Sequence, residues 1–439
     1  MRPDLPGGPY LVVGLARSGV AAALALRARG EEVVGVDAGA PDVGRLAQEG
    51  VEVHLDDPGV QLLDRVGTLV KSPGVPHTAA VVEAARARGI AVVGELELAW
   101  RLLPNDFIAV TGTNGKTTTT EWIGHVHREA GLPVAVAGNV GTPVSALVGS
   151  LDPAATVVCE ASSFQLEDTT AFAPDAAVLL NITPDHLDRH GTFEAYVDAK
   201  RGAFKRQTRD QIAVMASDEG VEMGGAARRV AFGSAPDLPA DVRHRHPWIR
   251  WHRKRLVRAE ELGIPGPHNI YNAMATAAVC LARGIDPDAV RAGLRSFRGV
   301  AHRLEPIAEV DGVRYVNDSK ATNVRSTNVA LLSLSSHRVH LILGGRTKAQ
   351  DFAPLAPFVR NHCASVHLIG EGAGEIAAAL ADTGVPLHED GDMERAVHAA
   401  RAAARPGEVV LLSPACASFD QYPDFEARGE HFRALVEAL

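Results

Sequence analysis

The chain has 439 residues, more than one hydrophobic core can organise, so it divides into several domains. With 46% hydrophobic and 22% charged residues, and no apolar run long enough to span a bilayer, it is neither a disordered chain nor an integral membrane protein. A formal charge of −9 argues against a general nucleic-acid binder, and cysteines scattered at 159, 280, 363 and 416, with no leader-like segment, point to a reducing cytoplasm rather than a disulfide scaffold.

Residues 9 to about 100 alternate strands and helices. Tyr10 to Gly14 is a buried strand, Gly14-Leu-Ala-Arg-Ser-Gly19 a turn, and an Ala-rich helix follows to about Arg29. The next strand, Glu32 to Asp37, carries an acid at its carboxyl end, as in dinucleotide-type βαβ units where that acid meets a ribose or base. Ala16 replaces the middle glycine of the usual fingerprint, so this signal alone is weak. A later strand from Leu69 ends in a turn with Ser72 and Gly74, at the sheet edge where α/β folds bind ligands; a plain type II turn would look the same.

The stretch that organises the chain runs from Phe107 to Thr118. An apolar strand leads into Gly112-Thr113-Asn114-Gly115, then Lys116, Thr117 and Thr118 open a helix. A strand, a Gly-rich turn and a helix start aim backbone N–H groups and the helix dipole at an anion. Lys116 adds charge for the outer phosphates, and the Thr117 hydroxyl suits magnesium. The loop is shorter than the common G-x-x-x-x-G-K-[ST] form, yet the order of its parts predicts phosphate binding.

Further along, Thr156 to Glu160 is a buried strand delivering Glu160 to its carboxyl edge, and Ala177 to Ile182 is another, followed by Asp185, His186 and Asp188. A helix is then expected to carry Tyr196, Lys200 and Lys205, and another to start at Ala273, after Asn269 and Asn272. From 211 to 258 the strands shorten. Arg243 to Arg258 is strongly basic with Trp248 and Trp251 interleaved, a pattern open to RNA or membrane contact but favouring an edge hairpin guarded by charge. Strands from Val313 to Asp318, His340 to Gly345 and Glu408 to Ser413 repeat the design of polar residues at strand exits. Each polar residue has a plainer role available: a solvated Glu160, a helix-capping His186, a Lys200 on a wet face. Their convergence with the phosphate loop favours a Mg-ATP site.

These motifs, in this order, resemble the Mur ligase family: T-G-T-N-G-K-T-T, E-A-S-S-F-Q-L-E from Glu160, T-P-D-H-L-D-R-H from Thr183, and H-N-I-Y-N from His268. The resemblance continues through N-D-S-K-A-T-N from Asn317, L-G-G-R-T-K from Leu343, and S-P-A-C-A-S-F-D-Q-Y from Ser413. It implies an α/β chain of three domains: Rossmann-like for a UDP-substrate (1–105), a central P-loop-type ATPase domain with a parallel sheet (106–299), and a Rossmann-like C-terminal domain for the amino acid (300–439). It also implies ATP-dependent ligation of D-glutamate to UDP-N-acetylmuramoyl-L-alanine through an acyl phosphate, by a cytoplasmic monomer with no nucleic-acid partner and no membrane insertion.

Carried over residue by residue, the resemblance gives Lys116, His186 and Lys200 catalytic roles. ATP would meet Gly112, Thr113, Asn114, Gly115, Lys116, Thr117, Thr118, Asn269, Asn272, Arg303, Asp318 and Lys320. Magnesium would be held by Thr117, Glu160, His186 and a carbamylated Lys200. Leu15, Arg17, Asp37, Ser72, Gly74 and Asn139 would surround the UDP-substrate, and Thr322, Lys348, Ser418 and the backbone at Phe425 would take D-glutamate. Two alternatives remain: a sister ligase that adds another amino acid or extends folate, and a catalytically silent nucleotide-binding protein.

Overall fold

The computed structural model describes residues 2–347 and 350–439, so Lys348 lies outside the described residues. The chain forms two compact units, 1–297 and 298–439.

The first unit holds two sheets. Strands β1 (Tyr10–Val13), β2 (Val33–Val36), β3 (Glu52–His54), β4 (Thr68–Lys71) and β5 (Ala91–Gly94) form a parallel sheet in the order β3-β2-β1-β4-β5. Runs such as Leu11-Val12 are buried because helices cover both faces. Strand order reverses beside β1, and there the packing is tight: a Cβ on Gly19 would lie 1.8 Å from the Gly14 carbonyl oxygen. Only glycine lets the helix Arg17–Arg27 seat on the strand end.

The second sheet comprises β6 (Phe107–Thr111), β7 (Val134–Gly138), β8 (Thr156–Glu160), β9 (Ala176–Leu179), β10 (Ile212–Ala216), β11 (Arg228–Gly233), β12 (Val242–Arg245), β13 (Trp248–Trp251) and β14 (Lys254–Arg258). Its order is β14-β13-β12-β11-β10-β9-β6-β8-β7. From β7 to β12 neighbours run parallel; β12, β13 and β14 turn back on themselves as an antiparallel meander with β14 at the edge, matching the edge hairpin expected there. Strand β6 lies between β8 and β9, so the exits of three strands converge on the phosphate loop. The two sheets are joined by a buried ion pair at 2.7 Å between Lys71 on β4 and Asp168, with Lys71 also donating to the Val75 carbonyl at 2.6 Å.

Two helices differ from expectation. The helix bearing Tyr196 and Lys200 spans Phe193–Arg201 and stops before Lys205, because the chain at Gly202 presses on the Leu166 carbonyl, where a Cβ would come within 2.6 Å. The helix expected from Ala273 begins six residues earlier, as Pro267–Ala282, with Pro267 at its first turn, so Asn269 and Asn272 sit on the helix itself.

In the second unit, β15 (Glu305–Val310), β16 (Val313–Asn317), β17 (Val339–Gly344), β18 (Cys363–Ile369), β19 (Leu387–Gly391) and β20 (Val409–Leu412) form a sheet ordered β15-β16-β20-β17-β18-β19. All neighbours are parallel except β15 and β16. Among the described residues no helix is long and apolar enough to cross a membrane.

Candidate active site

The phosphate loop leaves β6 through Gly112 at φ +147° and enters the helix Lys116–Glu129 through Gly115 at φ +84°, conformations an L side chain rarely adopts. No side chain caps this 14-residue helix, so its first-turn N–H groups face the loop's concave side. Asn181, just beyond β9, fixes the loop from below. Its carbonyl accepts from Thr113 N at 3.0 Å, its Oδ1 accepts from Asn114 N at 2.9 Å, and its Nδ2 donates to the Asn114 carbonyl at 3.0 Å. The Thr113 hydroxyl sits 3.1 Å from the Tyr196 hydroxyl and donates to the Thr183 carbonyl at 3.1 Å. Sequence reasoning missed Asn181 and Tyr196 as loop supports; an amide immediately after a buried strand was the available signal.

Two lysines converge on one carbonyl. Lys116 Nζ donates to the Gly112 oxygen at 3.0 Å, and Lys200 Nζ donates to the same oxygen at 2.8 Å. Lys200 is 1% exposed, with its ammonium 4.6 Å from the Tyr196 ring centroid. Burial first, then the Lys116 charge, lowers the Lys200 pKa to about 7 against the opposing pull of Asp185 and Glu160. Its amine is therefore substantially neutral near neutral pH.

Glu160, at the end of β8, is buried. Its Oε1 accepts from Asn139 Nδ2 at 3.0 Å, while its Oε2 has no hydrogen-bond partner among the described residues. The backbone holds this junction closely: a Cβ on Gly138 would come 2.2 Å from the Glu160 carbonyl oxygen. A partnerless buried carboxylate oxygen, even within the field of Lys200, is costly unless something binds there. Among the described residues no cluster of three or more His, Cys, Asp or Glu side chains forms a metal cage. Magnesium does not require one, since it commonly takes one or two carboxylates plus waters and substrate phosphates. The buried Thr117 and the unpartnered oxygen of Glu160 fit that pattern. His186 is less committed: it sits at φ +52°, exposed, 3.7 Å from Asp185 and 4.8 Å from the Phe164 ring.

The residues expected around the UDP-substrate meet at the edge shared by both sheets of the first unit. Asp37 Oδ2 accepts from Leu15 N at 2.6 Å and its Oδ1 from Gly39 N at 2.8 Å, so the carboxylate shapes the β1 turn. Ser72 Oγ donates to the Gly14 carbonyl at 2.6 Å. Gly74 has nothing within 4 Å of a built Cβ. Arg17 donates to the carbonyl of Gly141, two residues beyond Asn139. Arg189 closes the same edge, donating to the carbonyls of Pro73 and Val75 at 3.3 Å. Of the two asparagines expected to meet ATP, Asn272 lies against the loop, 2.4 Å from where a Gly115 Cβ would be, and Asn269 Nδ2 donates to the Pro265 carbonyl at 2.7 Å.

In the second unit Asp318 leaves β16 buried, accepting from Ser413 Oγ at 2.7 Å and Leu304 N at 3.1 Å; burial pushes its pKa up to about 7. Arg303 follows His302, whose carbonyl accepts from Lys320 N at 3.0 Å, and Thr322 N donates to the Lys320 carbonyl at 2.9 Å. Ser418 is buried. The Phe425 carbonyl already accepts from Ser319 Oγ at 2.8 Å, leaving its N–H as the group it can offer a carboxylate. Arg428 was not foreseen. Its buried guanidinium donates to Ser319 Oγ at 3.0 Å and to the Ser319 and Cys416 carbonyls, Nη1 has no partner among the described residues, and burial lowers its pKa to about 10.

Three family models match the chain: a Mur ligase MurD-like N-terminal domain over 9–94, a Mur ligase middle domain over 110–280, and a Mur ligase glutamate ligase domain over 302–416. A UDP-N-acetylmuramoylalanine–D-glutamate ligase of Pelotomaculum thermopropionicum is 43% identical over 460 residues, spanning 100% of this chain and 99% of that one. An enzyme of the same name from Acidobacterium capsulatum is 41% identical over 452 residues, spanning 99% and 97%. Among solved structures, the UDP-N-acetylmuramate-alanine ligase MurC of Thermotoga maritima shares the fold at TM-score 0.61 and 17% identity, over 98% of this chain and 100% of that one. MurF of Acinetobacter baumannii does so at TM-score 0.59 and 16% identity, over 98% and 93%.

Proposed function

The chain belongs to the Mur ligase family, and from that premise we propose how its residues divide the family's ATP-dependent ligation. The reaction joins D-glutamate to UDP-N-acetylmuramoyl-L-alanine in peptidoglycan precursor synthesis. The terminal alanine carboxylate attacks the γ-phosphorus of ATP, and ADP leaves with the bridging electron pair. The acyl phosphate so formed has a good leaving group where the carboxylate had none. The amine of D-glutamate then attacks the acyl carbon, phosphate departs, and the amine's proton is lost to give the amide.

Both steps bring anions together, so charge placement dominates. The helix N-terminus at Lys116 and the loop N–H groups from Gly112 to Thr118 would cradle the phosphates. Lys116 would leave its loop carbonyls for the β- and γ-oxygens. Magnesium, where bound, would be held by Thr117 and Glu160, with His186 and a carbamylated Lys200 towards a second ion, and would supply charge against the phosphates. The carbamate forms when the neutral Lys200 Nζ adds to the carbon of carbon dioxide and releases one proton, which a pKa near 7 permits. The observation that carries this assignment is the partnerless Glu160 Oε2 in the field of Lys200.

Residues 1–105, with Leu15, Arg17, Asp37, Ser72, Gly74 and, from the next segment, Asn139, would hold the UDP-substrate. Residues 106–299 would hold ATP, including Asn269 and Asn272, and residues 300–439 would add Arg303, Asp318 and Lys320 to it. Thr322, Lys348, Ser418 and Phe425 would take the carboxylates of D-glutamate. We place the protein in the cytoplasm, as a monomer. The test is ADP release with UDP-N-acetylmuramoyl-L-alanine and a panel of D- and L-amino acids. D-glutamate alone should support turnover; release with a diamino acid, or with a folate and L-glutamate, would assign a sister activity, and none with any acceptor would leave a binding protein.

A further inference from the structure

The basic stretch from Arg243 to Arg258 takes no part in the ligation, and its arrangement is specific. Strand pairing sets Arg243, Arg250 and Arg255 opposite one another across β12, β13 and β14, and sets Arg245, Trp248 and Arg258 opposite in the neighbouring row. Strand alternation puts Arg243 with Arg245, and Trp248 with Arg250, on one face, and a bulge at Leu256 brings Arg255 and Arg258 to that same face; Val242, Ile249, Leu256 and Val257 are buried. The outcome is a cluster of five arginines around one tryptophan. Arg253 and Lys254 extend it at the turn, and no acidic residue falls between 243 and 258 in a chain whose net charge is −9.

Charge at a sheet edge guards against strand pairing, but that explains only β14. Arg243, Arg245 and Arg250 stand on strands already paired on both sides, where like charges facing each other destabilise the sheet. Some of the charge is committed locally. Arg243 donates to the carbonyls of Ala235, Pro236 and Leu238, Arg258 pairs with Glu260 at 2.7 Å, and Glu261 pairs with Arg295. Arg250 Nε is buried with no partner among the described residues.

We propose that this face of the meander docks on an anionic lipid bilayer. The Trp248 ring is already covered by the guanidinium groups of Arg255 at 5.1 Å and Arg258 at 5.6 Å from its centroid, so it offers no open platform for stacking a nucleic-acid base. What remains is a cluster of arginines carried on one sheet face, whose positive charge complements a surface of phosphate headgroups. Contact is electrostatic and superficial, with no segment entering the hydrocarbon, consistent with the lack of a spanning helix among the described residues.

The test is co-sedimentation of the full chain with vesicles of phosphatidylcholine containing about one-third phosphatidylglycerol, against pure phosphatidylcholine, at low and high salt. Binding should occur on the anionic vesicles only and vanish at high salt. R245E/R255E should weaken it by more than tenfold, at roughly fivefold or more per charge, and R245K/R255K should largely retain it. Ligation in solution and the melting temperature of R245E/R255E should stay at the unsubstituted level, which separates lost docking from lost folding. No binding to anionic vesicles, equal binding by R245E/R255E, or tighter binding to duplex or single-stranded nucleic acid than to the vesicles would overturn the proposal.

Discussion

Two buried ionisable clusters, one in each unit, behave oppositely. In the C-terminal unit a continuous chain runs Glu408–His340–Ser365–His367–Asp390, with successive contacts of 3.0, 2.8, 2.9 and 2.8 Å. Every ring nitrogen of both histidines has a protein partner, although the chain borders a cavity of about 360 Å³ rimmed by Arg338 and Arg405. Around the phosphate loop, by contrast, Glu160 Oε2 has no partner among the described residues and two lysines crowd one carbonyl. A buried polar cluster that satisfies itself serves the structure; one left with uncommitted valence beside a phosphate-type loop is the better candidate for a site.

The largest effect should come from the uncommitted cluster. Lys116→Ala should lower ligation by about 10³-fold, the scale of removing a charge aimed at a developing oxyanion. Its melting temperature should barely move, because Lys116 donates to the Gly112 and Thr113 carbonyls of its own loop. Steady-state ADP release and a thermal melt check both halves; a large loss of stability would make this lysine a structural one.

Lys200→Ala comes next, with about a 100-fold loss expected if its carbamate supplies an anionic oxygen ligand. A short carboxylic acid in solution should recover part of the activity by filling the vacated position. Full activity would remove Lys200 from the site. Loss without rescue, together with an unmodified mass, would assign it as an ammonium.

Ser365→Ala probes the satisfied cluster. It leaves His340 Nδ1 and His367 Nε2 facing no donor or acceptor, a cost of about 1–3 kcal/mol in stability measured by denaturant unfolding. Ligation should be unchanged. A collapse of turnover without a loss of stability would show that the contrast between the clusters is false.

What was legible in the sequence was local. Strand, glycines, lysine and hydroxyl stand within twelve residues, from Phe107 to Thr118, so their order could be read directly. The supports were not: Asn181 meets Asn114 from 67 positions away, Lys71 meets Asp168 across 97, and Arg428 meets Ser319 across 109. Such pairings depend on how the sheets assemble, which no spacing encodes. The early start of the helix at Pro267 was hidden for another reason. His268-Asn-Ile-Tyr-Asn272 reads as a polar lead-in, whereas in the fold it forms the first turns of the helix opened by Pro267, with Asn272 against Gly115. The three-domain α/β architecture was readable because buried parallel strands are near-continuous apolar runs.

The smallest effect is a slope, and it tests whether Asp318 belongs with the uncommitted groups. Burial raises its pKa from 3.8 to about 7, while Ser413 Oγ and Leu304 N favour its charged form less strongly. A folded-state pKa above the unfolded one means the folded state holds a proton that the unfolded state has lost. The stability Asp318 contributes is therefore complete below pH 3.8 and disappears as pH rises through 7. Between pH 5 and 7 this amounts to a fall of about 1 kcal/mol per pH unit in the unfolding free energy. His367 works with the opposite sign. Burial lowers its pKa from 6.5 against the pull of Asp390, so its contribution is present above that value and is lost as pH falls. A mixed profile in the unsubstituted protein is thus expected, and Asp318→Asn, which keeps the shape and removes the titration, should isolate the two. Denaturant unfolding across this range should show Asp318→Asn gaining stability with rising pH relative to the unsubstituted chain. Parallel profiles would mean that Asp318 is already ionised at pH 5, its burial offset by Arg303 and Lys320, and that it is held ready for a ligand as a charge rather than as an acid.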